Sequence, residues 1–508
     1  MTLSFSFAAG TKLASFDPKV RRVYLVSGVD LPRDLKSSLP EAIFNRLSEA
    51  AAQAHHAQAA KSGAFETEIP APCLTVPLTE GGFVKVAWIP ADFDSFETQE
   101  ALRKHLAGSF KKSGALEIDL SRLNADRQPQ VLEWLASLST LAAYTPAVFG
   151  RRASGAKPGK PESVAVKVVS RVTPGAFRQA VELGQKLGEA NNRVRGLADL
   201  PGSELNPTTY KKKLEAYARD EKVTLKYMGM SELKKMGAGS FLAVVKADPN
   251  TDSGIAHLSY KPAGAKKKIV FVGKGLCFDT GGYNVKVGNY MNGMHRDMTG
   301  SAVAWNLFRV VKELGLKVEV HAVLAIAENL ISPTAYRADD VVTAMDGTSI
   351  EVVNTDAEGR MVLADTLAYA AKLEADLIFD FATLTGSAVR AIDTRRSVVF
   401  ANRDSLARLA VECGEECGER TWSLPLSRDY KRGLKSDVAD ILQCCHGSNS
   451  DAIYAATFLR HFVGEGSPWL HLDLSSHSNK GGLGLVGTET TGFGVRWALA
   501  TARRYLKI

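Results

Sequence analysis

From about residue 205 onward, short runs of β-branched and aromatic residues alternate with segments that have the apolar spacing of helices. Such alternation is typical of α/β domains, in which helices cover a mostly parallel or mixed sheet. We therefore expect an α/β fold with a central mixed sheet flanked by helices, and functional side chains at the carboxyl ends of its strands. The apolar run Leu242–Ala247 is one of the expected strands.

The first 150 residues also mix strand-like and helical runs, but they contain no phosphate loop and no metal-ligand spacing. The segment Gly150–Pro161 is rich in Gly, Pro and Lys, which is typical of an exposed loop or linker. We expect a smaller N-terminal α/β domain over residues 1–160, a connecting segment with a long helix over 161–200, and a second domain over 201–508.

Composition limits the classes of protein to consider. With 45% hydrophobic and 23% charged residues, the 508-residue chain resembles ordinary soluble proteins, and no apolar run is long enough for a membrane span. Six cysteines in so long a chain indicate a reducing compartment, and the N-terminus lacks a secretion signal, so we expect a cytoplasmic protein.

The net charge of +8 permits anionic partners without requiring them. The cysteines at 413, 417, 444 and 445, with His446, fit no strong zinc-site spacing.

The segment Asn354–Arg360 lies between a strand-like run at 349–353 and a helical run at 361–370. In extended backbone, residues two apart share a face, so Asp356, Glu358 and Arg360 are expected to point into one volume. Two close anions repel each other unless a cation or a shared proton separates them. A bound metal is the simplest resolution, and it leaves the arginine for an anionic ligand or a developing oxyanion. The alternative is a surface turn with solvated charges.

A second cluster follows the strand-like run at 269–272. A glycine-rich loop there carries Lys274, Asp279 and Lys286, and Asp297 opens the next expected helix. Glycines permit tight turns and close approach of the backbone. A nucleotide site is the alternative interpretation, but the loop matches neither a phosphate loop nor a dinucleotide fingerprint.

Together these segments resemble the leucyl aminopeptidase family, of the di-metal cytosolic type. The resemblance runs from about residue 200 to the C-terminus, and it includes Glu328-Asn329 with Pro333, the run 382–386, His471-Leu472-Asp473 and the run 491–496. It implies that the second domain is a catalytic metallopeptidase domain and that the N-terminal domain is similar to macro domains.

The resemblance also implies two divalent metal ions per subunit, with Zn²⁺ expected and Mn²⁺ or Mg²⁺ as alternatives at an exchangeable site. It gives one ion the ligands Asp279, Asp356 and Glu358, and the other the ligands Lys274, Asp279, Asp297 and Glu358. The reference pKa of lysine is about 10.4. Two divalent cations in a partly buried pocket nevertheless disfavour the ammonium form, and a neutral amine is a good ligand for zinc.

Further roles follow from the resemblance. Lys286 is expected to stay protonated and to polarise the scissile carbonyl, and Arg360 is expected to hold a bicarbonate ion that serves as general base towards a metal-bridging water. The free α-amine of the substrate would bind one metal, which restricts cleavage to the first peptide bond. The pocket for the N-terminal side chain would be formed by Met294, Thr383, Leu384 and Gly386. Its wall at 475–478 is more polar than usual, which leaves room for residues less hydrophobic than leucine.

The expected function is therefore hydrolysis of the N-terminal residue, leucine or a similar one, from peptides with a free N-terminus. One alternative is a di-metal phosphoesterase, because such enzymes also use bridging carboxylates. Another is a nucleic-acid-binding or scaffold protein with the same fold, using basic patches at Lys157, Lys160 and 266–268, although no aromatic residues are interleaved with them. The resemblance implies a homohexamer, and we expect no membrane partner.

Overall fold

The computed structural model describes residues 2–9, 17, 19–26, 33–60, 73–78, 82–89, 96–111, 114–149, 163–249, 252–445 and 447–508. The chain divides into two compact units, residues 1–189 with 483–487, and residues 190–482 with 488–508. The expected linker at Gly150–Pro161 lies outside the described residues, as do Lys157, Lys160 and His446.

In the described part of the first unit, six strands form one sheet in the order β1-β6-β5-β2-β4-β3. Every neighbouring pair is parallel except β3 with β4. The strands are β1 (Thr2–Ala9), β2 (Arg21–Val26), β3 (Cys73–Pro77), β4 (Phe83–Trp88), β5 (Gly114–Arg122) and β6 (Ser163–Ser170). The helices are α1 (Glu41–Ala60), α2 (Phe96–Leu106), α3 (Gln128–Ala142) and α4 (Pro174–Ala198), and the division between the units falls within α4.

The second unit contains, in its described residues, an eight-stranded mixed sheet in the order β15-β14-β17-β13-β9-β10-β8-β7 and a small sheet β11-β12-β16. Its helices are α5 (Pro207–Glu221), α6 (Met230–Lys235), α7 (Gly239–Val244), α8 (Thr299–Glu313), α9 (Glu358–Ala371), α10 (Gly386–Ile392), α11 (Asp404–Cys417), α12 (Asp451–Val463) and α13 (Val495–Leu506). Its strands are β7 (Thr224–Gly229), β8 (Gly254–Tyr260), β9 (Lys267–Asp279), β10 (Val318–Asn329), β11 (Val341–Thr343), β12 (Ser349–Glu351), β13 (Leu377–Ala382), β14 (Ser397–Ala401), β15 (Thr421–Ser423), β16 (Ile441–Leu442) and β17 (Trp469–Asp473). This arrangement confirms the predicted α/β fold.

The large sheet is covered on both faces. On one face, strand residues such as Val272 and Ile378 pack with Leu363 of α9 and Phe458 of α12 in a single buried cluster. Elsewhere on the sheet, the stacked rings of Phe379 and Phe381 both lie nearly perpendicular to the ring of Trp497 from α13. Because β9 and β13 are buried on both faces, they read as continuous apolar runs rather than alternating ones.

One expected element was wrong. Leu242–Ala247 is not a strand, because Gly239–Val244 forms helix α7 and Val245–Ala247 forms a 3₁₀ turn. The start of α7 is fixed by α9: the carboxylate of Asp365 accepts the backbone N–H of Phe241 at 2.7 Å, and the hydroxyl of Ser240 donates to the carbonyl of Met361 at 2.8 Å. A short apolar run does not distinguish a buried strand from a buried helical turn, so these tertiary contacts decide which of the two forms.

Among the helices of the described residues, none combines the length and the apolar character needed to cross a membrane.

Helix α8 lies unusually close to β13. A Cβ at Gly300, in the first turn of α8, would lie 2.0 Å from the carbonyl oxygen of Phe381, so no side chain fits there without moving the helix. We expect Gly300→Ala to lower the free energy of unfolding by about 2–3 kcal/mol, measured by chemical denaturation.

Gly196 in α4 provides the matched control, because a Cβ there would meet nothing within 4 Å. Gly196→Ala is expected to be neutral or to stabilise by about 0.5–1 kcal/mol through its helix propensity. A Gly300→Ala variant as stable as the unmodified chain would contradict the close packing.

Candidate active site

Polar side chains gather where the central strands end. Strands β9, β10, β13 and β17 run parallel to one another, so their carboxyl ends lie at one edge of the sheet. Lys274 lies within β9 and Asp279 is its last residue, while Asn329 ends β10 and Asp473 ends β17. This edge is where α/β sheets collect functional groups.

The segment 354–360, which leads into α9, adds further charged side chains to this edge of the sheet. Asp356 lies in a turn, and Glu358 is the first residue of α9, so the extended backbone expected for this segment was wrong. Residues two apart on a helix point in different directions. As a result Glu358 faces the sheet edge, whereas Arg360 reaches Asp451 instead.

Two lysines connect the acidic groups. The Nζ of Lys274 lies 2.8 Å from Oδ2 of Asp297 and 2.9 Å from Oε1 of Glu358. The Nζ of Lys286 lies 2.8 Å from Oδ2 of Asp279 and 2.6 Å from Oδ1 of Asp356. Residues that are distant in the sequence thus form one cluster, which contains every ligand expected from the sequence.

The donor set fits divalent cations. Carboxylate oxygens of Asp279, Asp356 and Glu358 lie within 4.8 Å of one another. Oε2 of Glu358 is buried and has no hydrogen-bond partner among the described residues, which is costly for an anionic oxygen. The four carboxylates outnumber the two ammonium groups, so negative charge remains to be neutralised. Hard divalent cations prefer such oxygen ligands, and zinc accepts them together with an amine.

The pKa values reflect the crowding of charge. Burial, and next the carboxylates of Glu358 and Asp297, raise the pKa of Asp279 to about 8, and burial raises the pKa of Asp297 to about 6. Burial also raises the pKa of Asp356. Burial opposes the charge of Lys274, but the neighbouring carboxylates outweigh it and raise its pKa above the ordinary value. The cluster therefore holds protons that a metal ion has to displace.

Hydrogen bonds fix the ligands in place. The side-chain amide of Asn329 donates to Oδ1 of Asp279 at 2.9 Å and to the carbonyl of Thr355 at 3.0 Å, which connects β10 to both ligand segments. The side chain of Asn284 accepts the backbone N–H of Thr355 at 2.9 Å. Gly359 leaves room for Lys274, because a Cβ there would lie 2.7 Å from its Nζ. Contacts within the chain thus fix the positions of the expected ligands.

The cluster opens into a cavity of about 500 Å³ within the second unit. Besides the five expected ligands and Lys286, the cavity is lined by the four residues expected to contact the substrate side chain, Met294, Thr383, Leu384 and Gly386. The hydroxyl of Thr383 donates to Oδ1 of Asp297 at 2.6 Å, and its carbonyl accepts from Lys274 at 3.1 Å. The expected side-chain pocket and the cluster therefore share one wall.

Arg360 occupies a different position from the one expected. It is 2% exposed and is not among the described residues that line the cavity. Its guanidinium donates to Oδ2 of Asp451 at 2.7 Å and to the carbonyl of Gln443 at 3.3 Å. The donor group expected to hold bicarbonate therefore binds a carboxylate of the chain.

Sequence reasoning missed Asp451 and Gln443. The side-chain oxygen of Gln443 accepts the backbone N–H groups of Val353 and Asn354, each at 2.9 Å, and its amide donates to the carbonyl of Ala357 at 3.0 Å. In the sequence, Asp451 resembles any acidic residue at the start of a helix, and Gln443 lies in an irregular segment. No local pattern distinguishes either of them.

The raised pKa values predict that cation binding depends on pH. Below about pH 8 Asp279 retains a proton that the ion must displace, so affinity should fall as the pH falls through that value. We expect the Kd for Mn²⁺, measured by calorimetry, to decrease about tenfold or more between pH 6 and pH 8, with protons released on binding. Circular dichroism at each pH controls for unfolding, and a Kd that does not change with pH would contradict the prediction.

Comparison with known proteins places the chain in a family. A model of the cytosol aminopeptidase family, catalytic domain, matches residues 192–499. The probable cytosol aminopeptidase of Aquifex aeolicus is 39% identical over 324 residues, which are 63% of this chain and 65% of that protein. The one of Prochlorococcus marinus is 40% identical over 307 residues, 60% of this chain and 62% of that protein. The matches thus span just under two thirds of these relatives.

Solved structures resemble a larger part of the chain. The bottromycin maturation enzyme BotP is 28% identical with a TM-score of 0.75, over 96% of this chain and 99% of that chain. The structure of BotP in complex with Mn is 27% identical with a TM-score of 0.77, over the same shares. The resemblance inferred from the sequence is thereby confirmed: with a family model matching more than half of its length, the chain belongs to the cytosol aminopeptidase family.

Proposed function

We propose that the chain is a metal-dependent aminopeptidase that releases the N-terminal residue from peptides. The observation that carries the proposal is the convergence of the five expected ligands on one buried cluster in which a carboxylate oxygen of Glu358 has no partner among the described residues. Membership of the cytosol aminopeptidase family supports the same class of reaction.

In this proposal two divalent cations bind at the cluster. Asp279, Asp356 and Glu358 would hold one, and Lys274 and Asp297 would hold the other together with the shared carboxylates. Zn²⁺ is the expected ion, with Mn²⁺ or Mg²⁺ at an exchangeable site, and the similar structure solved in complex with Mn supports metal binding by this chain. When bound, such ions supply Lewis acidity for the scissile carbonyl and lower the pKa of a water molecule.

Lys286 is suited to stabilise charge on the substrate. Burial opposes its positive charge, but Asp279 and Glu358 raise its pKa, so it stays an ammonium group at neutral pH. Its side chain is only 14% exposed and lines the cavity, where surrounding protein weakens the competition from water. In this position it can donate to the carbonyl oxygen as negative charge develops there.

The cavity also supports the proposed preference for a free N-terminus. The acidic cluster at its base favours an amino group and disfavours a neutral amide, which offers neither a positive charge nor a basic nitrogen. Met294 and Leu384 provide apolar surface for a side chain such as leucine, and Thr383 and Gly386 complete that wall. A volume of about 500 Å³ is sufficient for the end of a peptide.

The expected bicarbonate is left out of this mechanism, because Asp451 already binds the guanidinium of Arg360. The homohexamer, the macro-like N-terminal domain and the cytoplasmic location remain predictions. A nucleic-acid-binding role gains little support, because two lysines of the 266–268 patch already have partners: Lys267 pairs with Asp376, and Lys268 donates to the carbonyl of Leu373.

Substrate assays test the function. We expect the metal-loaded protein to hydrolyse leucine p-nitroanilide, but neither N-acetyl-leucine p-nitroanilide nor p-nitrophenyl phosphate. Glu358→Gln should lower kcat by at least about 10³-fold and reduce the bound metal, since the neutral amide is a poor ligand for a hard cation.

The control is Glu412→Gln, on the exposed surface of α11, which should leave turnover unchanged. Hydrolysis of the phosphate ester alone would favour the phosphoesterase. Efficient hydrolysis of the acetylated substrate would exclude an aminopeptidase mechanism.

The polar wall of the pocket leads to a prediction about which substrate side chain is preferred. Ser475 lines the cavity and is 2% exposed, and its hydroxyl has no hydrogen-bond partner among the described residues. A substrate side chain with a hydroxyl can satisfy this group, whereas leucine leaves it unsatisfied. We expect Ser475→Ala to raise kcat/KM for leucine relative to threonine p-nitroanilide by about fivefold or more.

Ser478→Ala is the matched control, because that hydroxyl donates to Glu489 at the surface. An unchanged leucine-to-threonine ratio in Ser475→Ala would remove Ser475 from the determinants of specificity.

A further inference from the structure

The ion pair between Arg360 and Asp451 separates the arginine from the cavity. Arg360 is 2% exposed, whereas the Asp451 side chain is 33% exposed, and of the two it is Asp451 that lines the cavity together with the metal-ligand cluster. The bond from the guanidinium to Oδ2 of Asp451 is 2.7 Å long, the length of a strong charge-assisted hydrogen bond. The anionic group presented to the cavity at this point is therefore a side chain of the protein.

The position of Asp451 is fixed by its neighbours. It is the first residue of α12, and the next backbone N–H, that of Ala452, donates to the hydroxyl of Ser387 at 2.7 Å. Burial works against its charge, but the guanidinium of Arg360, and to a smaller extent that of Arg390, lower the pKa of Asp451. The carboxylate thus stays ionised at neutral pH, and only Oδ2 is used by Arg360.

We propose that Asp451 is the proton-transferring carboxylate of this enzyme and takes the place that the family resemblance assigns to a bicarbonate ion on Arg360. The inference rests on the proposed aminopeptidase function and goes beyond it, because it gives the chain its own base in place of a bound cofactor.

The step balances without another reactant. Asp451 accepts one proton from the attacking water while the water oxygen bonds to the carbonyl carbon of the substrate. The C–N bond then breaks with its electron pair on nitrogen, and Asp451 returns the proton to that nitrogen. The products are a free amino acid and a peptide shortened by one residue, with the aspartate again ionised. The ionised carboxylate can accept the proton, and the carboxylic acid formed in that step can donate it to the departing nitrogen.

The competing interpretation is a purely structural ion pair that holds α12 against α9. Bicarbonate distinguishes the two, because removal of the Asp451 side chain exposes the guanidinium to an external anion of the same charge and shape. A structural ion pair gives no reason for such an anion to restore turnover.

The experiment uses the metal-loaded full chain in carbonate-free buffer, with and without added bicarbonate. We expect the unmodified chain to work equally well in both and to bind no ¹³C-labelled bicarbonate by NMR. Asp451→Gly should lose about 10²-fold or more in kcat, bind one bicarbonate per chain and regain activity when it is added. Asp451→Asn should lose activity, and added bicarbonate should not restore it. The asparagine side chain still occupies the position beside Arg360, but it cannot accept a proton.

Metal content and thermal stability are measured for each variant, and Glu465→Gln, just beyond the other end of α12, is the control that should behave like the unmodified chain. Bicarbonate binding or activation in the unmodified chain would overturn the inference. Full activity of Asp451→Gly without bicarbonate, or loss of its metal, would overturn it as well. Failure of the proposed function would look different, since the unmodified chain would then hydrolyse no aminoacyl substrate at all.

Discussion

Mutual repulsion of four carboxylates is the constraint on which the rest of the second unit depends. Asp279, Asp297, Asp356 and Glu358 come from three separate segments, and all are drawn to the edge where β9, β10 and β13 end. Desolvation and like charge make this arrangement unfavourable by itself. The fold tolerates it because Lys274 and Lys286 are placed between the acids, and because Asn329 and Thr383 hold individual oxygens in position. The surrounding apolar core provides the stability that offsets the unfavourable burial of these charges.

Much of this was visible in the sequence because the chemistry is local to short segments. The Asn354–Arg360 segment has charged groups at a spacing that indicates a metal site, and the resemblance to a family added the other expected ligands in and after the glycine-rich loop that follows β9. The alternation of strands and helices was equally readable, since buried parallel strands are continuous apolar runs.

The errors share a physical cause. Whether Leu242–Ala247 becomes a strand or a helical turn depends on Asp365 and Met361, which lie far along the chain. The direction of Arg360 depends on α9 beginning at Glu358, and its partner Asp451 lies 91 positions further along the chain. Long-range hydrogen bonds of this kind leave no trace in local composition. The resemblance to a family assigned Arg360 a ligand, but only the folded arrangement shows which group of this chain faces it.

Thr383 has a consequence for how such an enzyme could change over time. One residue offers its hydroxyl to Asp297 and its carbonyl to Lys274, and the following N–H, that of Leu384, is held by Asp473 at the end of β17. In the proposed function, one short stretch of backbone therefore both borders the substrate pocket and holds two of the expected metal ligands in place. If the proposed function holds, substitutions in this stretch would change metal affinity as well as selectivity, so divergence in selectivity should arise on the opposite wall of the cavity.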